Sequence, residues 1–227
     1  MKIGDVDIEV KRSSRRKTLS IFVERDGSVT VLAPETISDA RIEEAVLSKD
    51  YLLYKKLAKW KELNKGKVER SFVNGQSFLY LGRNYRLNIV EDQAEPLMLK
   101  NGYLNIRRKD LANADKHFIQ LYKDKGLPKV YERLKLYQKK LKVQPKSVKI
   151  QELKNRWASC TIGGSINLHW KAIMAPVAVL DYIIVHELVH LIHPNHSPEF
   201  WNELDKVMPD YRVHEAWLKS YGVKMSL

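Results

Sequence analysis

The chain has 227 residues, of which 44% are hydrophobic and 30% charged, with a formal net charge of +13 at pH 7; this length can bury the core of one large or two small domains. The charge is uneven, because residues 151–227 carry seven Lys and Arg against eight Asp and Glu, whereas residues 1–150 carry thirty-three against nineteen. No apolar run is long enough to span a bilayer, the N-terminus lacks the order of a signal peptide, and the single cysteine excludes a disulfide framework, so we expect a soluble, cytoplasmic protein without a membrane partner.

The N-terminal segment alternates apolar and polar residues, as half-buried strands do. The alternation covers residues 3–10 and 18–23, and the Asp26-Gly27-Ser28 turn leads into a further apolar stretch at residues 29–33. Turns of this composition connect adjacent strands. The segment is therefore predicted to form a meander or a hairpin.

A basic run connects the first two predicted strands. Residues 11–17 hold five positive charges, among them Arg15 and Arg16. Such a connection can bind an anion, and the positive excess of residues 1–150 can attract nucleic acid, nucleotide phosphates or acidic protein. A solvated surface explains the same charge equally well, because loops concentrate charged residues without any partner.

A helical arm and a second group of strands follow. Ser38 is a capping residue, and apolar residues recur after it at helical spacing, first at Ile42 and Val46 and then through Trp60. The Asn101-Gly102 pair is typical of a hairpin turn. It lies within a series of short predicted strands, at residues 77–81, 84–90, 96–100 and 103–106.

The pattern becomes helical from residue 113 to residue 141, with an interruption at Gly126-Leu127-Pro128. Proline removes a backbone donor and clashes with the preceding turn, so this segment predicts two helices or one kinked helix. Beyond it we predict a small sheet and then helices at the C-terminal end. The strands are expected at residues 147–153, 156–161 and 165–170, and the last two helices from Ser197 and over residues 211–221.

Residues 181–196 carry the pattern of a metal site. His186 and His190 lie four residues apart on a predicted apolar helix, about 40° apart around its axis, so both imidazoles can reach one ion. A catalytic zinc needs three protein ligands and an open position for water, and a neighbouring carboxylate takes the proton of that water. The His-Glu-x-x-His motif supplies two ligands and, in Glu187, the general base.

The third ligand has two candidates. Pro194 is expected to end the helix, so His196 lies beyond a turn and can approach the ion from a different direction, as tetrahedral geometry requires. His193 competes, because it falls on the same helical face as His186 and His190. Three ligands from one straight helix surround an ion poorly, however, and a histidine near a helix end commonly interacts with the helix dipole.

Other polar residues have weaker assignments. Asp181, Asp205 and Asn155 are candidate acceptors for the second nitrogen of the ligand imidazoles. A catalytic role for Ser159 or Cys160 is disfavoured, because a metal site already supplies an activated water and both fit as small residues of a buried strand.

Five segments carry a family resemblance: Asn155-Arg156-Trp157-Ala158-Ser159-Cys160, Gly164-Ser165-Ile166-Asn167-Leu168, residues 181–190, Asn195-His196-Ser197-Pro198-Glu199-Phe200-Trp201 and Pro209-Asp210-Tyr211-Arg212. Together they resemble the YgjP-like metallopeptidase family, which is related to the SprT-like and WLM metalloproteases. One departure is Ala158, which stands where these relatives usually have glycine.

The resemblance implies a zincin-type domain. In it, zinc is held by His186, His190 and His196, with Glu187 as general base. It thus favours His196 over His193. Extended peptide substrate would align on an edge strand, supplied by residues 156–161 or 165–170.

The resemblance also leaves the reaction open. Zinc-dependent peptide hydrolysis is the first hypothesis. Some relatives are described as nucleoside triphosphate pyrophosphatases acting on UTP, and Arg15, Arg16 and Arg156 are candidates to hold its phosphates. The candidate substrate-binding residues are Arg156, Ser159, Arg15 and Arg16. A third hypothesis is a nucleic-acid-associated module that binds through the basic N-terminal half.

We therefore expect an α+β protein in two parts. Residues 1–110 are predicted to form a basic, β-rich domain with a helical arm. Residues 111–227 are predicted to form a small zincin-like, metal-dependent hydrolase domain of helices and a short mixed sheet.

Overall fold

A computed structural model describes residues 1–24, 27–64, 70–153 and 156–227. The chain divides into two compact units, Met1–Gly66 and Lys67–Leu227. The predicted α+β class is confirmed, since each unit combines helices with small mixed sheets. Two residues named above, Asp26 and Asn155, lie outside the described part of the chain. Among the described residues, no helix has the length and apolar character needed to cross a membrane.

The N-terminal unit contains a four-stranded sheet. Its spatial order is β1-β2-β4-β3, and its strands are β1 (Lys2–Ile3), β2 (Val6–Ser13), β3 (Ser20–Val23) and β4 (Val29–Pro34). The predicted hairpin is confirmed, because β3 and β4 pair antiparallel, but β2 pairs with β4 in parallel, so the strands do not form a meander. Lys11 and Arg12 belong to β2 rather than to a connection, so the connecting loop holds only part of the basic run.

Two helices pack on this sheet, where one arm was predicted. They are α1 (Asp39–Leu47) and α2 (Asp50–Asn64). The Ser38 side chain accepts a hydrogen bond from the Arg41 N–H, which confirms Ser38 as the N-cap of α1. Ile42 and Val46 of α1 are buried in the same core as the inner strands. The unit therefore has a hydrophobic core of its own.

The C-terminal unit begins with a second four-stranded sheet. Its order is β5-β6-β8-β7, and its strands are β5 (Ser77–Tyr80), β6 (Arg83–Val90), β7 (Leu97–Lys100) and β8 (Tyr103–Arg107). Asn101 and Gly102 have φ values of 53° and 79°, as a two-residue type I′ hairpin requires, so the predicted turn is confirmed. This sheet shares one hydrophobic core with the helices that follow. The two compact units therefore divide after residue 66, whereas the predicted domain boundary lies at residue 110.

One long helix, α3 (Ala114–Leu141), crosses this core. It runs without interruption through Gly126 and Pro128, so the alternative of two separate helices is wrong. Gly126 is buried, and a Cβ atom at this position would lie 2.6 Å from Cγ1 of Ile173. Glycine is therefore required here for the close approach of a neighbouring segment, and it does not mark a helix end.

Gly126→Ala is expected to lower the free energy of unfolding by about 1–3 kcal/mol, because the added methyl group overpacks the core. Intrinsic helix propensity alone would favour alanine by about 1 kcal/mol, so the two effects have opposite signs. Urea denaturation would measure the difference. Gly163→Ala is a matched control, since the nearest atom to its Cβ would be 3.9 Å away. Ile173→Val should recover part of the loss in Gly126→Ala, and a stabilised Gly126→Ala protein would contradict the packing explanation.

The last sheet and three helices form the rest of the unit. The sheet has the order β10-β11-β9, with strands β9 (Ser147–Gln151), β10 (Ala158–Cys160) and β11 (Ser165–His169). Since β11 lies in the centre, β10 is an edge strand. The helices are α4 (Val177–Val189), α5 (Pro198–Val207) and α6 (Tyr211–Tyr221), and short 3-10 helices span Arg108–Asn113, Trp170–Met174 and Gly222–Lys224.

The β5–β6 turn positions the start of α4. The N–H groups of Leu81 and Gly82 donate to the carbonyls of Ile173 and Met174, at 2.8 and 3.0 Å. Gly82 has a φ of +78°, and a Cβ atom on it would lie 2.8 Å from Cα of Pro176. Only glycine combines this backbone conformation with this close contact. The second sheet is therefore joined through its backbone to the short 3-10 helix that leads into α4, the helix with the His-Glu-x-x-His motif.

Candidate metal centre

The helix α4 is buried on most of its surface and is fixed to α3 by an ion pair. Arg133 donates two hydrogen bonds to the Asp181 carboxylate, at 2.7 and 2.6 Å, and the Tyr137 hydroxyl donates a third at 3.0 Å. Bidentate pairs of this kind are geometrically specific. They engage Asp181 with α3, so it does not serve as the partner of a ligand imidazole. Asp205, another candidate for that role, is exposed on α5.

Three histidines meet at the C-terminal end of α4. A ring nitrogen of each of His186, His190 and His196 lies within 4.8 Å of the others. The Nε2 atoms of His186 and His196 are 2.9 Å apart. Phe200 on α5 contacts all three rings, with centroid distances of 4.9, 4.6 and 4.7 Å, and Trp201 stacks on His196. The aromatic residues of α5 therefore hold the third histidine beside the first two.

His186 and His190 are held in the neutral form that a metal ligand requires. Burial lowers the pKa of His186 to about 3, and the neighbouring His190 and His196 lower it further. Burial also lowers the pKa of His190. Nδ1 of His190 lies 3.1 Å from the backbone carbonyl of His193. A carbonyl only accepts hydrogen bonds, so Nδ1 carries the proton and Nε2 of His190 has the free lone pair.

This donor set fits a metal ion such as zinc, which takes imidazole nitrogens in a tetrahedral arrangement. Nδ1 of His186 is buried without a hydrogen-bond partner among the described residues. Buried polar atoms without partners are uncommon and costly. The cluster of three imidazoles, two of which have a lowered pKa, is therefore suited to bind a metal ion.

The helix ends earlier than predicted. Its last residue is Val189, with His190 as the C-cap, and hydrogen bonds between residues three and four apart continue as turns up to His193. Pro194 was expected to be the stop. The chain leaves the helix after Val189. His196 therefore approaches His186 and His190 from a segment beyond the end of α4. The ring of His193 is not part of the cluster, and this residue contributes its backbone carbonyl instead.

Glu187 lies between the histidines and β10 and is only 6% exposed. Burial raises the pKa of Glu187 to about 7, although the charge of Arg156 and a hydrogen bond from the Cys160 backbone N–H act in the opposite direction. Its Oε2 atom has no hydrogen-bond partner among the described residues. A carboxyl group whose pKa lies near the operating pH can both accept and release a proton.

A cavity of about 790 Å³ opens beside these groups. Its lining includes the three histidines and Glu187 on one side, and β10 with the turn that follows it on the other. Two predicted substrate-binding residues, Arg156 and Ser159, also line it. The structure therefore brings a cationic side chain, a carboxyl group and three potential metal ligands to one concave surface.

The chain matches the YgjP-like metallopeptidase domain over residues 17–221. It belongs to the YgjP-like metallopeptidase family. Members of such a family are metal-dependent hydrolases, and the chain is one of them. A solved structure, the metallopeptidase zymogen of Pyrococcus abyssi abylysin, is 27% identical, with 43% of this chain and 99% of that chain covered and a TM-score of 0.38. Comparison with curated proteins gives no significant match.

The other residues named in the sequence analysis of this YgjP-like chain either do not line the cavity or have no unusual reactivity or backbone conformation. Arg15 and Arg16 are in the N-terminal unit, after β2, whereas every residue that lines the cavity belongs to the C-terminal unit. Burial and the charge of Glu187 raise the pKa of the Cys160 thiol, which disfavours a nucleophilic thiolate. Ala158 has no positive φ, so its methyl group is accommodated without strain.

Two parts of the YgjP-like site were not predicted. The carbonyl of His193 sets the proton position of His190, yet a backbone group has no signature in the sequence. Phe200 was named above only as part of a family-like segment, although it contacts all three imidazoles. Its position in the same short segment as His196 is a signal that could have suggested this contact.

Proposed function

We propose that the chain is a zinc-dependent peptidase in which His186, His190 and His196 hold the ion and Glu187 is the general base. The observation that carries the proposal is the placement of a buried carboxyl group and three clustered imidazoles along one cavity, beside the edge strand β10. Zinc held by three protein ligands polarises a carbonyl group and lowers the pKa of a bound water to about 7.

Glu187 has the environment of a proton carrier. Its pKa of about 7 and its unpaired Oε2 suit a carboxylate that takes a proton from the attacking water and passes it to the leaving amine. The N–H of Cys160 holds the carboxylate in one orientation. Glu187 would therefore act on a substrate lying between α4 and β10.

The edge strand β10 offers a surface for an extended peptide. The N–H of Thr161 donates to the carbonyl of Ser165, and the N–H of His169 donates to the carbonyl of Trp157. The backbone N–H and carbonyl groups of the odd-numbered residues along this strand therefore point toward β11. The backbone groups of Ala158 and Cys160 consequently point away from the sheet. Of the two strands considered as the substrate edge, β11 is excluded, because it lies between β10 and β9. The Cys160 N–H already bonds to Glu187, so an added peptide would pair with the N–H and carbonyl of Ala158 and the carbonyl of Cys160.

The other expectations from the sequence stay predictions. These are the cytoplasmic location, a separate role for the N-terminal part, and the nucleoside triphosphate and nucleic-acid hypotheses. Arg15 and Arg16, two of the three phosphate candidates, belong to the N-terminal unit. The match to a metallopeptidase domain supports the peptide bond as the substrate linkage.

Removal of the metal is expected to abolish hydrolysis of an unfolded protein such as casein, and zinc should restore it, because the three histidines would then lack the ion they hold. Metal analysis of the purified protein should find about one zinc per chain, as one three-histidine site predicts. Nucleoside triphosphates assayed in parallel should stay intact. Hydrolysis of casein that resists chelation, or hydrolysis of UTP alone, would contradict the proposal.

A further inference from the structure

The two ends of the cavity differ in chemistry. Arg156 lies at one end, immediately before β10, and is exposed without a hydrogen bond or ion pair to any described residue. Ile162 lies at the other end, in the turn after β10, and is fully exposed. Leu191 and Pro194 line the cavity as well. Among the described lining residues, Arg156 is the one permanent cation and Glu187 the one carboxyl group.

An unpaired arginine beside a cavity is suited to recognise a carboxylate. Guanidinium groups bind carboxylates through two parallel hydrogen bonds, and these charge-assisted bonds are stronger than neutral ones. A fully exposed isoleucine, in contrast, gains free energy when an apolar side chain covers it. The ends of the cavity should therefore prefer different side chains of one substrate.

The edge strand fixes the direction in which these side chains would follow one another. Antiparallel pairing is slightly more stable than parallel pairing, so an added peptide is expected to run opposite to β10. Its C-terminal side would then lie toward Arg156 and its N-terminal side toward Ile162. The scissile bond would lie near Cys160, whose N–H contacts Glu187. Arg156 lies four positions before Cys160, or about 13 Å along an extended chain, and the charge at the end of its long side chain still acts on Glu187.

We propose that the cavity selects peptides with an acidic side chain roughly two or three residues after the scissile bond, bound by Arg156, and an apolar side chain before it, packed on Ile162 and Leu191. This inference rests on the proposed peptidase function. The inference adds a substrate class to that function, namely peptides that are acidic on the C-terminal side of the scissile bond. It also assigns Arg156 as a specificity-determining residue.

The test compares internally quenched peptides of one sequence that differ at a single position. Glu, Gln or Lys is placed on the C-terminal side of the cleavage point, and a further peptide carries Glu on the N-terminal side instead. The readout is the ratio of kcat/KM values within each protein, so partial misfolding of a variant cancels. We expect the wild type to prefer C-terminal Glu over Gln by about tenfold. Arg156→Gln should reduce this ratio to about one, and Arg156→Glu should shift the preference to Lys.

A binding experiment separates recognition from hydrolysis. Fluorescence anisotropy with the Glu187→Gln protein should show tighter binding of the C-terminal Glu peptide, and adding Arg156→Gln should remove the difference. Arg86→Glu is the matched charge control, because Arg86 is exposed on β6 and does not line the cavity. It should leave the ratios unchanged.

The outcomes distinguish the two proposals. Equal cleavage of all peptides, or an Arg156→Glu protein that still prefers Glu, would overturn the inference while the peptidase function stands. An Arg156-dependent preference for Glu on the N-terminal side would overturn the proposed orientation. If the wild type neither cleaves nor binds any of the peptides, the proposed function fails and the inference fails with it.

Discussion

Glu187→Gln is expected to reduce peptide hydrolysis by about a thousandfold or more, because the amide keeps the shape of the side chain but cannot accept the proton of water. Metal content and the free energy of unfolding should change little. The carboxyl group is buried with an unpaired oxygen and has a pKa of about 7, so a neutral amide replaces it without loss of a buried ion pair. The measurements are kcat/KM on a fixed peptide, zinc per chain, and urea denaturation.

Glu43→Gln is the matched control for this variant. Glu43 undergoes the same chemical change on the exposed surface of α1, in the other unit. It should retain wild-type hydrolysis. A Glu187→Gln protein that keeps its zinc and more than about a tenth of wild-type activity would place the general base elsewhere.

His196→Ala is expected to weaken zinc binding by more than about a hundredfold, since loss of an outer partner of a ligand alone costs about 10–100-fold. The variant leaves two imidazoles, His186 and His190, and these cannot complete a three-ligand site. Hydrolysis should fall with the metal content. Competition with a chromophoric chelator would measure the affinity directly. His196 is exposed, so the fold should tolerate the change.

His193→Ala tests whether His193 is a metal ligand or only lies near the three histidines. The ring of His193 lies outside the cluster, and its backbone carbonyl, which contacts Nδ1 of His190, is kept in alanine. Zinc affinity should therefore stay within about threefold of the wild type, as for ordinary surface substitutions. If His193→Ala lost zinc and His196→Ala kept it, the assignment of the third ligand would be wrong.

The sequence predicted several local features of the fold and the clustering of the three histidines, because these depend on local spacing. The histidine spacing, the capping Ser38 and the Asn101-Gly102 turn each involve residues close together in the chain, where propensity and geometry are directly linked. Helix ends were less accurate. The stop of α4 was placed at Pro194, although the helix already gives way to turns after Val189.

Long-range contacts explain what the sequence could not predict. Gly126 was interpreted as part of a helix break, yet its role is set by Ile173, which lies far away in the chain. Asp181 was considered as a partner of the histidines, but Arg133 and Tyr137 of α3 bind it. Nothing in the local pattern of either residue indicates these partners. The parallel pairing of β2 with β4 is a similar case, because alternation gives no information on strand order.

Because α4 ends at Val189, one of the three histidines lies within the helix and the other two lie at its end or beyond it. His186 lies within the regular helix, whereas His190 caps it and His196 follows a connection with several exposed residues. A ligand binds with an apparent affinity that is its intrinsic affinity multiplied by the fraction of molecules already in the binding-competent arrangement. Substitutions at residues 191–195 that change the conformational entropy of this connection would therefore tune the affinity for the proposed zinc ion without altering any of the three proposed ligands. Changes at these few positions could therefore alter the metal concentration at which the site is filled, while the helix and Glu187 stay the same.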